Sequence, residues 1–221
     1  MPSTPERTPA LPGEPLRTLA LLGLLGALLA WALFGDVEVL RRAPPGPSAS
    51  AKPVSAFPGA SSQRLFLSEG ERLAAARQGL VPPDTRSIIA TGEKLPFGAW
   101  RWDTAGVPAG RIAVRVDLAR QLVSVFQGPH EIGTAVIVYG VDGKETPRGK
   151  LPILGKSRDY RSITYDAPMP YSLWLRDDGV ALHGSSVEMG KATNGCIGVP
   201  VEFAERLFDV AAKGDVIEVL G

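Results

Sequence analysis

The alternation of apolar and polar residues in the C-terminal half of the chain predicts a mainly β domain. From Arg111 onward, Ile112, Val114 and Val116 alternate with more polar neighbours, which is the period of a half-buried strand. Further apolar runs, separated by turn residues, predict strands over residues 122–126, 132–139, 151–154, 171–176, 180–183 and 215–220. Closely spaced strands joined by such turns indicate a β-sandwich or barrel.

Two short helices are expected beside these strands. Ser68 and Glu71 have the S-x-x-E spacing of a capping box, so a helix should begin there and end near Gly79. Beyond Pro200 a second helix is predicted, with Lys213 in its last turn and Gly214 as its cap. Its apolar face consists of Phe203, Ala204, Leu207, Phe208 and Ala211.

A long apolar run near the N-terminus predicts a membrane-directed segment. Residues 18–34 carry no charge, and as a helix they would extend about 26 Å, enough for a thin bilayer. We interpret them as a transmembrane signal anchor that follows a cytoplasmic tail, residues 1–17. The alternative is a cleaved signal peptide, because Ala30-Trp31-Ala32 matches an A-x-A cleavage site and would release the domain near Ala32.

The rest of the chain divides by composition. Residues 35–62 are rich in Pro, Ala and Ser, which is typical of a linker. Residues 63–109 form a pre-domain segment whose fold the pattern does not assign, although its Trp100 and Trp102 are expected to pack inside the protein. Residues 110–221 hold the strands and form the expected main domain.

Composition and charge exclude several classes of function. The 24 basic and 23 acidic residues give a formal net charge of +1, which disfavours nucleic-acid binding. A single cysteine excludes an intrachain disulfide, and with His130 and His183 it provides too few ligands for a metal site. We therefore expect a monomer without metal, and we expect His130 to be exposed because Gly128 and Pro129 precede it.

The candidate chemistry lies at Cys196 and His183. A thiol attacks carbonyl carbon as thiolate, and a histidine can supply both the base and the cation that this requires. The two residues are 13 positions apart, so they can meet only if His183 ends a strand and Cys196 begins another element. Gly184 and Gly195 lie beside them and permit close backbone approach. The alternative is a buried structural cysteine and a structural histidine.

The pattern around these residues resembles the signature of the L,D-transpeptidase family, cysteine enzymes of the bacterial cell wall. That signature is His-Gly, a variable loop and Ser/Thr-x-Gly-Cys, matched here by residues 183–184 and 193–196. Residues 116–126 are similar to the family's first hairpin, and residues 145–149, Glu-Thr-Pro-Arg-Gly, to its Thr-Pro-x-Gly turn. Asn194 and Gly198 depart from the His and the Arg or Asn that are frequent in the family.

The resemblance implies an L,D-transpeptidase-like β-sandwich or barrel and a role for each site residue. Cys196 would be the nucleophile and His183 the base, as a thiolate–imidazolium pair in which the Gly184 carbonyl orients the imidazole. The N–H groups of Gly195 and Cys196 would form the oxyanion hole. The substrate would contact Thr193, Asn194 and Ser185.

The function that the resemblance implies is peptidoglycan cross-linking in cell-wall biogenesis and cell shape. Cys196 would form an acyl-enzyme with a stem peptide and pass it to an acceptor amine without a cofactor, and carbapenems would acylate the same thiol. The chain would be a single-pass protein of the bacterial inner membrane with its domain in the periplasm. Two alternatives stay open: transfer to water, as in an L,D-carboxypeptidase or amide hydrolase, and a wall-binding module that has lost its activity.

Overall fold

Strands of two main sheets, one additional two-stranded sheet and two short helices make up the part of the chain that the computed structural model describes, residues 63–92, 94–141 and 143–221. This composition confirms the mainly β prediction. In chain order the elements are β1 (Arg64–Phe66), α1 (Glu69–Arg77), β2 (Ser87–Ile89), β3 (Trp100–Trp102), β4 (Ile112–Asp117), β5 (Leu122–Gln127), β6 (His130–Val136), β7 (Gly149–Pro152), β8 (Gly155–Ser157), β9 (Arg161–Ser162), β10 (Ala167–Pro168), β11 (Ser172–Trp174), β12 (Ala181–Gly184), β13 (Ile197–Val199), α2 (Val201–Val210) and β14 (Val216–Leu220).

The larger sheet has the strand order β1-β2-β6-β5-β4-β14-β7, with β3 also paired to β6. The predicted strand at residue 112 pairs with β5 in an antiparallel hairpin. The final strand of the chain, β14, returns parallel to β4 and lies between β4 and β7. Ile112, Val114 and Val116 are buried and the residues between them are more exposed, as the alternation predicts.

The smaller sheet has the order β13-β12-β11-β8 and carries the candidate site. β11 and β12 form an antiparallel hairpin around the Asp178-Gly179 turn, in agreement with the sequence prediction. The two sheets share one hydrophobic core, to which Val116 and Ile217 contribute from the larger sheet and Leu173 and Leu182 from the smaller. Phe203 of α2 is fully buried in the same core. Packing of both sheets on one core therefore fixes the position of the site strands.

The predicted helices are present, with one correction. The Ser68 backbone N–H donates to Glu71 Oε2 at 2.8 Å and the Ser68 side chain accepts from the Glu71 backbone, which completes the capping box. Phe203, Ala204 and Leu207 on the apolar face of α2 are buried as expected, whereas Phe208 is half-buried and Ala211 is buried just after the helix. The prediction that Lys213 lies in its last turn is wrong, because α2 ends at Val210 and Ala211 is extended.

A lysine of strand β8 takes the place of the predicted Gly214 cap at the C-terminal end of α2. Lys156 Nζ donates to the carbonyl of Ala211 at 2.6 Å and also to the carbonyl of Phe208. These carbonyls lie at the end of the helix, where backbone acceptors have no partner within the helix and where the helix dipole favours a cation. The C-terminal carbonyls of α2 are therefore capped by a tertiary contact, and Gly214 lies beyond the end of the helix.

The segment before residue 110 adds three strands to the larger sheet. β2 and β3 both pair with β6, and β1 pairs with β2. Trp102 lies against Gly133 of β6, where a Cβ would approach Trp102 Cε3 to 2.4 Å, and its ring meets Phe203 edge to face at 5.5 Å. The expectation that the tryptophans pack inside the protein is therefore confirmed.

The expectation of an exposed His130 is wrong. Gly128-Pro129 leads directly into β6, so His130 is the first residue of that strand and pairs with Ser87 of β2. Its side chain is 7% exposed, and its Nδ1 lies 2.8 Å from Ser87 Oγ. A turn signal in the sequence does not reveal that a second strand covers the residue that follows it.

Residues 1–62 lie outside the described residues, so the predicted tail (1–17), anchor (18–34) and linker (35–62) stay predictions. Neither helix in the described part of the chain is long and apolar enough to span a bilayer.

We predict that Gly133→Ala lowers the free energy of unfolding by about 1–3 kcal/mol, because the new methyl group overlaps the Trp102 ring. Gly70→Ala is the matched control: no atom lies within 4 Å of its Cβ position in α1, so the variant should gain about 0.5–1 kcal/mol from helix propensity. Urea unfolding of both variants measures these changes. Equal stability of the two variants would contradict the contact.

Candidate active site

Parallel pairing of β12 with β13 brings the two candidate residues together. Leu182 pairs with Ile197, and both side chains lie in the core. Side chains alternate between the faces of a strand, so His183, one residue after Leu182, and Cys196, one residue before Ile197, lie on the opposite face. The 13 residues of separation are thus spanned by a loop that returns beside its starting strand.

Glycines make this close approach possible. Gly195 has φ +104°, a conformation that side chains disfavour, immediately before the cysteine. Gly198 pairs with His183, and a Cβ there would lie 2.7 Å from Val138 Cγ2 and 3.0 Å from Ser185 Cβ. The departure of Gly198 from the resembled signature therefore has a steric reason: Val138 and Ser185 occupy the space of a side chain.

One hydrogen bond fixes the protonation pattern of His183. Its side chain is 8% exposed, and Nδ1 lies 2.9 Å from the carbonyl oxygen of Gly184. A carbonyl can only accept, so Nδ1 carries the hydrogen and Nε2 is left to accept a proton. Burial lowers the pKa of His183, although the Gly184 carbonyl opposes this shift. At neutral pH the imidazole is therefore an uncharged base.

The Cys196 thiol is half-buried and donates to the carbonyl of Gly179 at 3.8 Å. Burial raises the pKa of the thiol; the backbone of Ala181 opposes this shift and the charge of Asp178 adds to it. The expected resting thiolate–imidazolium pair is therefore not favoured, because the same desolvation disfavours both charged forms. A neutral thiol beside a neutral imidazole can still react if the proton moves as sulfur attacks.

Both side chains open into a pocket of about 350 Å³. One wall is the segment 160–169, which contains the β9–β10 hairpin, and the others are Trp174, the turn 178–180 and the loop 192–196. The predicted residues Ser185, Thr193 and Asn194 all line it together with His183 and Cys196. A substrate in this pocket would contact both reactive side chains.

The predicted substrate-contacting residues differ in their surroundings. The hydroxyl of Thr193 donates to the Cys196 carbonyl at 2.5 Å, so it also holds the backbone of Cys196. Asn194 is exposed at the pocket rim. Ser185 is held through its backbone, whose N–H donates to Val199 O at 2.7 Å.

Sequence reasoning missed the wall formed by residues 160–169. Within it Arg161 pairs with Asp166 at 2.7 Å across the β9–β10 hairpin, and Tyr160 meets Trp174 edge to face at 4.8 Å. The opposite charges five residues apart were the available signal for a hairpin. Thr146, which donates to the Cys196 carbonyl at 3.3 Å, was noted only as part of a Thr-Pro-x-Gly turn.

Over residues 63–92, 94–141 and 143–221, no cluster of three or more His, Cys, Asp or Glu side chains could hold a metal ion. The thiol and the imidazole are the candidate reactive groups of the pocket, whose lining also includes Asp178, Tyr160 and Tyr165.

A comparison with known protein families gives one match. The family described as YkuD, L,D-transpeptidase catalytic domain, matches residues 111–219. No curated protein matches the chain. The match confirms the resemblance noted from the motifs, and it ends close to the last strand of the fold.

Several solved structures are similar to about half of the chain. An L,D-transpeptidase (Yku) from Stackebrandtia nassauensis is 23% identical, with 52% of this chain and 57% of that chain covered and a TM-score of 0.47. An L,D-transpeptidase from Mycobacterium tuberculosis H37Rv is 17% identical, with coverages of 50% and 57% and a TM-score of 0.46. This chain thus covers less than two thirds of the length of either structure.

We predict that iodoacetamide alkylates Cys196 slowly at pH 7 and that the rate rises only above about pH 8.5, the ordinary thiol pKa, because burial raises the pKa of this thiol. Mass spectrometry after timed alkylation from pH 6 to pH 10 measures the profile. Cys196→Ala, which removes the only cysteine, should gain no mass and is the control. A rate that is already constant below pH 7 would contradict the prediction.

Proposed function

We infer that this chain, whose residues 111–219 belong to the YkuD family of L,D-transpeptidase catalytic domains, cross-links peptidoglycan stem peptides by cysteine acyl transfer. The observation that carries this proposal is the placement of Cys196 and His183 on one face of two neighbouring parallel strands, open to one pocket. The family acts on peptidoglycan stem peptides, which gives the substrate class.

Acylation is the first step of the proposed reaction. The Cys196 sulfur attacks the carbonyl carbon between the third and fourth residues of the donor stem as His183 Nε2 takes the thiol proton. The S–C bond forms, the C–N bond breaks, and the imidazolium returns the proton to the departing amine. The Gly184 carbonyl, 2.9 Å from Nδ1, keeps Nε2 available throughout.

Transfer to the acceptor completes the reaction. An amine of a second stem peptide attacks the thioester, the new N–C bond replaces the S–C bond, and the amine proton passes through His183 back to sulfur. Water in place of the amine would give an L,D-carboxypeptidase by the same steps, so the acceptor decides between the two activities.

Backbone donors stabilise the negative oxygen that forms in each step. The N–H groups of Gly195 and Cys196 are the proposed oxyanion hole. A donor of this kind lowers the activation barrier by about 3 kcal/mol. Gly195 suits this role because its φ of +104° turns the backbone sharply before the nucleophile. Thr193, Asn194 and Ser185 contact the substrate around this point.

The proposed location follows from the substrate and from residues 18–34. These residues anchor the chain in the bacterial inner membrane, and residues 35–62 extend the domain into the periplasm, where stem peptides are. Cleavage near Ala32 would instead release the domain. The N-terminal sequence of the mature protein distinguishes the two arrangements.

We predict that the full chain, incubated with purified stem peptides, produces cross-linked dimers that mass spectrometry detects. Cys196→Ala should abolish the product while its circular dichroism matches wild type, because the residue serves as nucleophile. Hydrolysed tripeptide without dimer would identify a carboxypeptidase. Neither product from the wild type would refute the proposed activity and favour the wall-binding alternative.

We predict that a carbapenem acylates Cys196 in the wild type and that His183→Ala slows this by about 10²- to 10⁴-fold at neutral pH, because the thiol loses its base. The acylation rate of the variant should rise toward alkaline pH, where the unassisted thiol ionises. His130→Gln is the control, since that histidine lies at the β2–β6 contact and does not line the pocket. An unchanged rate and pH profile in His183→Ala would exclude it as the base.

A further inference from the structure

The backbone carbonyl of Cys196 accepts hydrogen bonds from two threonine hydroxyls. Thr193 Oγ1 lies at 2.5 Å and Thr146 Oγ1 at 3.3 Å. Thr193 is three residues away in the same turn, whereas Thr146 is 50 residues away in a different part of the chain. Thr146 is thus a long-range tie to the peptide group that follows the nucleophile.

The Thr146 hydroxyl has one available orientation. Its side chain is buried, 3% exposed, and its oxygen accepts the backbone N–H of Gly140 at 2.9 Å. The hydrogen of the hydroxyl is then left to point at the Cys196 carbonyl. A single hydroxyl therefore connects the Gly140 amide to the backbone of Cys196.

The segment around Gly140 is packed directly against the nucleophile turn. A Cβ on Gly140 would lie 2.5 Å from Gly195 N and 2.0 Å from the Lys144 carbonyl oxygen. Two residues earlier, Val138 and Gly198 exchange backbone hydrogen bonds of 2.9 and 2.8 Å. This segment, residues 138–141 and 143–146, supports the turn that ends at Cys196, and Thr146 is its polar contact with the Cys196 peptide.

We propose that Thr146 is a positioning residue for acyl transfer: its hydroxyl, anchored on the Gly140 amide, holds the Cys196 peptide plane so that the thiol and the adjacent N–H groups meet the same carbonyl group. A carbonyl that accepts two hydroxyls cannot turn without losing both bonds, so the ψ angle of Cys196 is fixed, and with it the orientation of the Cα–Cβ bond that carries the thiol. The role in catalysis rests on the proposed acyl transfer; the hold on the peptide does not.

The test uses the full chain with Thr146→Val, which keeps the shape and removes the hydroxyl, and Thr146→Ser, which keeps the hydroxyl. Thr146→Val should lower kcat for stem-peptide transfer about tenfold or more with KM little changed, because misplacement of reacting groups affects the transition state. Thr146→Ser should restore the wild-type kcat. Thr85→Val is the matched control: Thr85 is fully buried, its hydroxyl has no hydrogen-bond partner, and it does not line the pocket.

A spectroscopic measurement tests the hold of Thr146 on the Cys196 peptide separately from its role in catalysis. Cys196 is the only cysteine, so cysteine labelled with ¹³C at the carbonyl gives a single resonance from the folded chain. Loss of a donor in Thr146→Val should move this resonance upfield, whereas Thr146→Ser and Thr85→Val should leave it in place. The resonance reports the contact whether or not the protein turns over stem peptides.

Each outcome decides the proposal. A shifted resonance with lowered kcat and rescue by serine supports it. A wild-type resonance and wild-type kcat in Thr146→Val overturn it, as does a folded Thr146→Ser that is as slow as the valine variant. If the wild type itself transfers no stem peptide, the proposed function fails, and the resonance alone then confirms or refutes the hold on the Cys196 peptide.

Discussion

The geometry of the site depends on the register of one pair of parallel strands. Leu182 on β12 and Ile197 on β13 are paired and fully buried in the shared core. A slip of one residue in either strand would turn its hydrophobic side chain toward solvent and its reactive side chain into the core. Burial of Leu182 and Ile197 therefore places His183 and Cys196 on the same outer face of the sheet, although neither side chain belongs to the hydrophobic core.

The same burial sets the chemical state of the pair. Desolvation lowers the pKa of His183 and raises the pKa of Cys196, so burial favours the neutral form of both groups. Such a site gains its reactivity from position: Nδ1 is committed to the Gly184 carbonyl, so Nε2 is the nitrogen that can take the thiol proton. In the proposed acyl transfer, charge separation would arise only as the substrate carbonyl is attacked, near the proposed backbone donors.

Strand β6 and its continuation connect two regions of close backbone packing. At Gly133 the strand leaves room for the Trp102 ring of the preceding segment. Beyond its end, Gly140 touches the backbone of Gly195 directly before the nucleophile. Both contacts leave no room for a Cβ. The segment before residue 110 and the nucleophile turn are thus supported by one continuous stretch of chain, residues 130–140.

The sequence by itself determined the features that depend on neighbouring residues: the period-two strands, the capping box at Ser68, the apolar face of α2 and the His-Gly and Gly-Cys pairs. Local pattern is enough for these because backbone period and capping act within a few residues. The tertiary structure decided what distant contacts control. Lys156 caps the end of α2, and β2 covers His130. Neighbouring side chains leave no space for a side chain at position 198. Thr146 contacts the Cys196 carbonyl although 50 residues separate them in the chain. The tertiary structure also decides which protonation states His183 and Cys196 favour. Desolvation depends on every element that packs around these two residues, and no motif encodes it.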